Sequence, residues 1–220
     1  MKKIAYLFTL IVLFAGCSSK PIPDWTSAAF NRLEDYKKNY LSGKTDIAEL
    51  HFKRAVEEIK KSGDLEILGR AYLTKYAVQS AVLERIDEGE YLKIDAVSTS
   101  SPNKNFYNFL KGNMDHVEGK ELPGQYQAFF AAYRSGKFTD ATGEISKIED
   151  PLSRLIASGL LAQHDKCNEG CLKVAVDTAS KNGWKRALLA YLERLQSFYE
   201  TGKDLEKATF IQKRIELIRN

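Results

Sequence analysis

The sequence predicts an all-α fold of about ten helices, and three observations support this prediction. Apolar residues recur at helical spacing through most of the chain, and no segment alternates apolar and polar residues as a half-buried strand does. One short pattern, Tyr-x-Ser/Thr-Gly-Lys, also occurs three times, at 40–44, 133–137 and 199–203, each time between two helical patterns. We expect each copy to be the same joint, in which Tyr packs at the end of one helix and Gly turns the chain into the next.

Three helices are predicted in the N-terminal third of the chain. Asp24 is the expected N-cap of the first helix, and Gly43 is expected to end it as a left-handed C-terminal cap. The second helix carries an apolar face over 47–59 and stops at Gly63. Asp64 follows and has the chemistry of an N-cap for the third helix.

The middle of the chain carries the weakest pattern, and the C-terminal half is clearer. Between 87 and 122, only Ser101-Pro102 indicates a helix start, for a short helix around 106–110, and the flanking stretches are predicted to be loops. Further on, Asp150-Pro151 combines an expected N-cap with a proline at the first helical position. The turn at 182–184 separates the last two predicted helix pairs.

The first copy of the joint pattern carries a family resemblance. Ala48, Phe52 and Ala55 have the small, aromatic, small spacing of the second helix of a tetratricopeptide repeat, and Gly43 lies where the turn glycine of that family belongs. In this region the chain resembles the tetratricopeptide family. The resemblance implies stacked antiparallel helix hairpins that form a right-handed α-solenoid, in which each hairpin buries its apolar stripe on its neighbours.

The other two copies match the family less fully. The copy at 133–148 keeps Gly136, Phe138 and Ala141, whereas the last copy keeps Gly202 but has its alanine, Ala208, one place late. The tyrosines at 40, 133 and 199 are 93 and 66 residues apart, and only the second spacing is close to two repeat units of about 34 residues. We therefore expect a tetratricopeptide-like array that contains an irregular unit.

The first sixteen residues have the layout of a secretory signal peptide. Lys2 and Lys3 form a basic start, an apolar run of eleven residues follows from Ile4 to Phe14, and small residues precede Cys17. The run is too short to cross a bilayer as a helix, which takes about 20 apolar residues. We therefore expect residues 1–16 to be removed on export.

The stretch Phe14-Ala15-Gly16-Cys17 resembles the lipobox of bacterial lipoproteins, with Phe14 where that family usually has Leu. The resemblance implies cleavage before Cys17 and acyl chains such as palmitate on Cys17. The polar, proline-bearing stretch after it predicts a short tether over 17–23, and a length of about 200 residues suits a single folded domain over 24–220. Ser18 after the cysteine is compatible with sorting to the outer membrane in enterobacterial members of that family. The implied location is the periplasmic face of the cell outer membrane, held by the lipid anchor.

The remaining two cysteines, Cys167 and Cys171, lie in the stretch His164–Lys173. In an oxidising compartment a disulfide between them is the favoured interpretation, while a metal site with His164 and a pair of free thiols stay open as alternatives. Residues four apart on a helix have Cβ atoms about 5–6 Å apart, whereas a disulfide needs about 3.8 Å. We therefore expect a helix to end before or at Cys167 and residues 168–170 to form a tight loop.

Composition and motifs argue against several classes of function. The mature chain is nearly neutral, since the 33 basic residues lose Lys2 and Lys3 and leave 31 against 29 acidic residues, and no long basic run favours nucleic acid as a partner. No nucleophile motif, phosphate-binding loop or zinc motif occurs, so no enzyme activity, cofactor or metal is predicted. Eight tyrosines fall in helical segments, where we expect most to pack between helices and some to line a groove. They are Tyr36, Tyr40, Tyr72, Tyr76, Tyr126, Tyr133, Tyr191 and Tyr199.

These features together favour a binding protein. We expect an outer-membrane-anchored periplasmic scaffold that holds an unidentified envelope protein or peptide in a groove. Two alternatives come from other classes: a peptidoglycan-related enzyme or enzyme accessory, and a structural component of a motility or secretion complex. The enzyme would need an acidic or nucleophilic cluster that converges in a pocket.

Overall fold

The structure, a computed structural model that describes residues 23–219, is all-helical as the sequence predicts, with no strand in that range. The predicted signal peptide, Cys17 and most of the tether lie outside the described residues. The eleven α-helices of the described range are α1 (Asp24–Leu41), α2 (Thr45–Lys60), α3 (Leu65–Ala81), α4 (Gly89–Val97), α5 (Ser101–Leu110), α6 (Gly124–Arg134), α7 (Phe138–Lys147), α8 (Pro151–Gln163), α9 (Glu169–Lys181), α10 (Lys185–Thr201) and α11 (Leu205–Arg219). Two single 3-10 turns, Met114–His116 and Gly119–Glu121, lie between α5 and α6.

The middle of the chain is more helical than the sequence predicts. The unpredicted helix is α4, in which only Tyr91 is buried, so it has no apolar stripe that would produce a periodic signal. Helix α5 begins at Ser101, as Ser101-Pro102 indicates, but its first turns up to residue 105 are helical and not the predicted loop. Two buried asparagines hold them in place: Asn103 donates to the Glu66 carbonyl at 2.9 Å, and Asn105 accepts from the Glu118 amide at 2.7 Å.

Two of the predicted N-caps are confirmed and one is wrong by a single residue. The carboxylates of Asp64 and Asp150 accept from the backbone amide three residues further on, at 2.9 Å and 2.7 Å. Each satisfies an amide that the first turn of a helix leaves without a partner. Asp24 is instead the first residue of α1, because Pro23 occupies the cap position.

The recurring joint takes the expected form in two of its three copies. Gly43 and Gly136 have φ angles of +88° and +72°, in the left-handed region that glycine adopts without steric cost. In the third copy α10 runs one residue further, so that Gly202 has a φ of −75° and Lys203 a φ of +60°. The expectation that Gly turns the chain in every copy is wrong for the last one, and the shift explains why Ala208 comes one place late.

Most helices pack against their neighbours in the chain. Each helix from α6 to α10 contacts the next one, α6 also contacts α8, and α7 also contacts α9. In the N-terminal part, α1, α2 and α3 all contact one another. Two further contacts, between α3 and α8 and between α1 and α10, join these groups. Nearly all of the buried apolar side chains of the described range form one continuous core.

The contact between α3 and α8 is a close approach of two backbones. A Cβ atom on Gly159 would lie 2.4 Å from the carbonyl oxygen of Ser80, far inside van der Waals contact. Glycine in a helix interior is less favourable than alanine by about 1 kcal/mol. Packing against α3 is therefore the reason that α8 has glycine at this position.

Arg186 connects α10 to the N-terminal helices. Its guanidinium lies 4.0 Å from the centroid of the Tyr40 ring, and it donates to Glu84 at 2.6 Å and to the Thr45 hydroxyl at 2.8 Å. The Tyr40 hydroxyl donates to the same Glu84 carboxylate at 2.5 Å. Burial, and then this hydrogen bond, raise the pKa of Tyr40 to about 12. We call Tyr40, Glu84 and Arg186 the junction cluster.

Candidate binding groove

The sulfur atoms of Cys167 and Cys171 lie 1.97 Å apart, at disulfide distance, with the Cα atoms 5.4 Å apart. The preceding helix, α8, ends at Gln163 and so stops before Cys167, as predicted. Asn168 is the N-cap of α9 and accepts from the Cys171 amide at 2.9 Å. The expected tight loop over 168–170 is therefore wrong, since residues 169–170 already belong to the first turn of α9. The two sulfur atoms can meet because Cys167 precedes that helix.

His164, the third residue of the alternative metal site, has other neighbours. It packs so closely on Gly112 that a Cβ atom there would lie 2.0 Å from the His164 Nε2. Its ring centroid lies 6.5 Å from that of Tyr133, in an edge arrangement. Within residues 23–219, no group of three or more His, Cys, Asp or Glu side chains is placed to hold a metal ion.

The eight tyrosines that the sequence places in helical segments pack between helices, as predicted. Six of them are buried, and Tyr72 and Tyr133 are partly buried against the core. Burial is the first cause of a raised pKa in all eight, because the charged phenolate is poorly solvated there. Tyr199 also has the second predicted role, since it lines a groove.

This groove lies between α9, α10 and α11 and has a volume of about 380 Å³. Its floor is apolar, because the buried side chains Val176, Leu195 and Ile211 line it. Phe210 stands on the α11 side with 67% of its surface exposed. The groove therefore offers apolar surface that a partner side chain can cover.

Three basic side chains surround the apolar floor: Lys173 from α9, and Lys207 and Arg214 from α11. Arg214 is not among the ion-paired arginines of residues 23–219. Asp177 also lines the groove, but it pairs with Lys181 one turn further along α9, at 2.8 Å. The lining holds three cations and one carboxylate, a net charge of +2 (3 − 1), so the rim of the groove is positive.

Two of these lysines take part in a cluster around a tyrosine. The Tyr199 hydroxyl donates to Glu169 at 2.8 Å, Lys173 pairs with the same carboxylate at 2.7 Å, and the Lys207 ammonium lies 5.3 Å from the Tyr199 ring centroid. The hydrogen bonds from Lys173 and then Tyr199 lower the pKa of Glu169, and the bond to Glu169 raises the pKa of Lys173. We call Glu169, Lys173, Tyr199 and Lys207 the groove cluster.

The ammonium groups of the groove cluster remain accessible to a ligand. The Lys173 and Lys207 side chains are 60% and 56% exposed, and the partner of Lys207 is Asp204, at 2.6 Å. Exposed pairs of this kind contribute at most about 1 kcal/mol each. A carboxylate of a bound partner can therefore share or replace the present partners at little loss.

A second, more polar cavity of about 410 Å³ lies where the C-terminal ends of α3, α5 and α8 meet. Its two carboxylates are both engaged: Glu84 in the junction cluster, and Glu88 with the Tyr107 hydroxyl at 2.5 Å and Lys111 at 3.0 Å. The bonds from Tyr107 and Lys111 lower the pKa of Glu88. A general acid needs a pKa near the working pH, so this arrangement favours a structural role.

Of the groove residues, sequence reasoning marked only Tyr199 as a contact candidate. A usable signal was nevertheless present on α11, where positions 207, 210, 211 and 214 follow the i, i+3, i+4, i+7 spacing of one helix face. That face combines two cations with two apolar side chains. A buried face carries mainly apolar residues and a solvated face mainly charged ones, so the combination is unusual for either.

Comparison with known proteins finds no relative: no family model matches the chain, and no curated protein or solved structure is significantly similar to it. None of the described helices is both long enough and apolar enough to span a membrane.

Proposed function

We propose that the protein is a lipid-anchored scaffold on the periplasmic face of the outer membrane, where it holds a segment of a partner envelope protein. The observation that carries this proposal is the groove between α9, α10 and α11, which combines an apolar floor with a positive rim. Paired apolar and charged contacts of this kind are what a polypeptide segment offers a groove. The proposal assigns no catalytic role to the chain.

The proposal includes a tetratricopeptide-like, right-handed α-solenoid of antiparallel helix hairpins. In its support, α6 and α7 each contact the next two helices in the chain, as expected when hairpins stack on one another. The contacts of α1 with α10 and of α3 with α8 go beyond nearest neighbours. In the proposed architecture the array therefore folds back on itself at these two contacts.

The lipid anchor in this proposal rests on the sequence. The basic start, the short apolar run and the lipobox-like Phe14–Cys17 are its support. Burial of acyl chains contributes about 0.8 kcal/mol per methylene, so several chains on Cys17 would hold the protein stably at a membrane.

Affinity capture of the lipidated protein from detergent-solubilised envelopes tests this function. The matched control is Cys17→Ala, which removes the acylation site without touching residues 24–220. We expect palmitate label and outer-membrane fractionation for the wild type only, and at least one envelope protein enriched over the control by mass spectrometry. The absence of any enriched protein would remove the main support for a scaffold.

Deletion of the protein separates the scaffold from its alternatives. Loss of a whole motility or secretion assembly on deletion, together with full function of groove variants, would favour a structural component. Capture of a peptidoglycan enzyme whose activity depends on this protein would favour an enzyme accessory.

A further inference from the structure

We infer that the segment recognised by the α9–α11 groove is an acidic peptide that carries an apolar side chain. This inference rests on the proposed binding function and specifies the chemistry of its partner. Two features of the groove lead to it: the sign of the charges on its rim, and the accessible apolar surface between them.

The charges come from both sides of the groove. Lys173 stands on α9, while Lys207 and Arg214 stand on α11. The one acidic side chain in the described lining, Asp177, pairs with Lys181 at 2.8 Å, just as Lys173 and Lys207 pair with Glu169 and Asp204. The lining itself holds three cations against this one carboxylate. An extended segment in the groove therefore meets cations on each side, and carboxylates on that segment complement them.

The apolar surface supplies the anchor. The floor is formed by side chains of three different helices, and Phe210 leaves 67% of its surface in solvent. A leucine or phenylalanine side chain placed there would cover Phe210 and the floor and remove apolar surface from water, at about 25 cal/mol per Å². The volume of about 380 Å³ admits a few side chains, which suits a short segment.

A second copy of this chain complements the groove less well than an acidic segment does. In a two-fold pair across the groove, the basic rim of one copy would face the basic rim of the other. Like charges that face each other across an interface are repulsive. The sign of the rim therefore favours a partner of opposite charge.

Fluorescence anisotropy with three labelled synthetic peptides tests the inference on the full chain, purified as Cys17→Ser. The first peptide combines glutamate with leucine and phenylalanine, the second has glutamine for every glutamate, and the third has serine for every apolar residue. We expect the first peptide to bind, with an affinity that falls as salt rises. Each of the other two should bind at least tenfold more weakly.

Matched variants locate the binding on α11. The double variant Lys207→Glu with Arg214→Glu should bind the first peptide at least tenfold more weakly. The control Lys213→Glu, at an exposed position of the same helix outside the groove lining, should change this affinity less than twofold. Phe210→Ser should weaken binding in the same way, and Leu217→Ser, at a position that is 80% exposed and outside the lining, is its control. Circular dichroism and thermal melting verify that each variant is folded.

The outcomes separate this inference from the proposed function. If envelope partners are captured but the three peptides bind alike, or the groove variants bind like their controls, the inference is overturned and the scaffold stands. If the peptides behave as expected but no envelope protein is captured, the groove chemistry is supported and the scaffold is not. A dimer in solution that Phe210→Ser dissociates would show a second copy as the occupant and overturn the acidic segment.

Discussion

The junction cluster and the groove cluster use the same chemical groups with different results. In each, a tyrosine from a Tyr-x-Ser/Thr-Gly-Lys joint donates to a glutamate, and a cation lies over the tyrosine ring. Arg186 and Glu84 are 102 residues apart in the chain and 25% and 34% exposed, whereas Lys207 of the groove cluster is 56% exposed.

The difference lies in what covers the cation. Arg186 donates to both Glu84 and Thr45 and so joins α10 to the N-terminal helices. Lys207 pairs with Asp204 at the start of its own helix and leaves its other donors to solvent or to a ligand. The same local motif therefore joins helices where another helix covers it, and where none does it leaves exposed cations, which is where we propose that a partner binds.

The largest expected effect is a loss of stability at the close approach of α3 and α8. Gly159→Ala places a Cβ atom against the Ser80 carbonyl, and overpacking of a buried contact costs about 3 kcal/mol. Gly143→Ala is the matched control, because this glycine also lies inside a helix and a Cβ atom there meets nothing within 4 Å. The control should stabilise the protein by about 0.5–1 kcal/mol. Urea unfolding measures both, and equal effects would contradict the close contact.

Removal of the two cations tests the comparison directly. Arg186→Met should destabilise the protein by about 2 kcal/mol, because the partly buried Glu84 loses its charged donor and Thr45 loses its partner. Lys207→Met should change the free energy of unfolding by less than about 0.5 kcal/mol, as is usual for an exposed pair. Both values come from chemical denaturation. An equal loss in the two variants would mean that the clusters do not differ in stabilising role.

The cysteine pair next to the groove cluster should stabilise α9. Closure of so short a loop contributes about 2 kcal/mol, and Cys167→Ser with Cys171→Ala removes it without leaving a polar side chain at the buried position 171. Free-thiol titration of Cys17→Ser protein made in an oxidising compartment should find no thiol before reduction and two after. Two thiols in the native protein would refute the disulfide.

Replacing the joint glycine by alanine should affect the stability of the first and third joints differently. Gly43→Ala forces a Cβ atom into a left-handed conformation with φ of +88° and should cost about 1 kcal/mol. Gly202→Ala should cost nothing, because φ there is −75°. Lys203→Gly should stabilise the protein by about 0.5–1 kcal/mol, since the left-handed residue of this copy is Lys203. Thermal melting ranks the three variants by stability. Equal losses of stability in Gly43→Ala and Gly202→Ala would contradict the one-residue shift of the third joint.

Alkaline pH should weaken the junction between about pH 10, where an unfolded tyrosine ionises, and about pH 12, where Tyr40 ionises in the folded protein. Burial and the bond to Glu84 raise the pKa of Tyr40 to about 12, while an unfolded tyrosine ionises near about 10. The folded state is therefore favoured fully below pH 10, and this contribution is lost as pH rises through 12. Tyrosinate absorbance should rise together with the loss of helical circular dichroism. In Tyr40→Phe, the part of the absorbance change that occurs near pH 12 should be smaller. Substantial tyrosinate in native protein at pH 10 would contradict the burial.

Much of the fold was predictable because its signals are local. Asp64 and Asp150 cap helices, Gly43 and Gly136 reverse the chain, and the apolar stripes mark the long helices, since each of these effects acts within one or two turns. The failures have the same origin. Helix α4 buries a single side chain, so it has no stripe. In the third joint α10 runs one residue further, so the left-handed residue is Lys203 and not the glycine.

The candidate site was predictable only in part. The sequence placed Cys167 and Cys171 close enough to pair and required a helix break before the first of them, since an intact helix holds positions four apart at too great a distance. It did not show that Asn168 makes that break as an N-cap, because an N-cap followed by a glycine reads equally well as a turn. The cations of the groove lie on helices separated by α10, and no local pattern relates them.

By itself, the sequence determined the all-helical class, most helix ends, the packing role of the tyrosines and the expectation of an exported, lipid-anchored chain. Only the tertiary structure decided that α1 meets α10, that α3 meets α8 at Gly159, and that Lys173 shares a groove with Lys207 and Arg214. The physical reason is range. Capping, turn formation and amphipathic periodicity are interactions among residues a few positions apart. The junction and the groove instead depend on which helix covers which, and the hydrogen bond from Arg186 to Thr45 alone joins residues 141 positions apart.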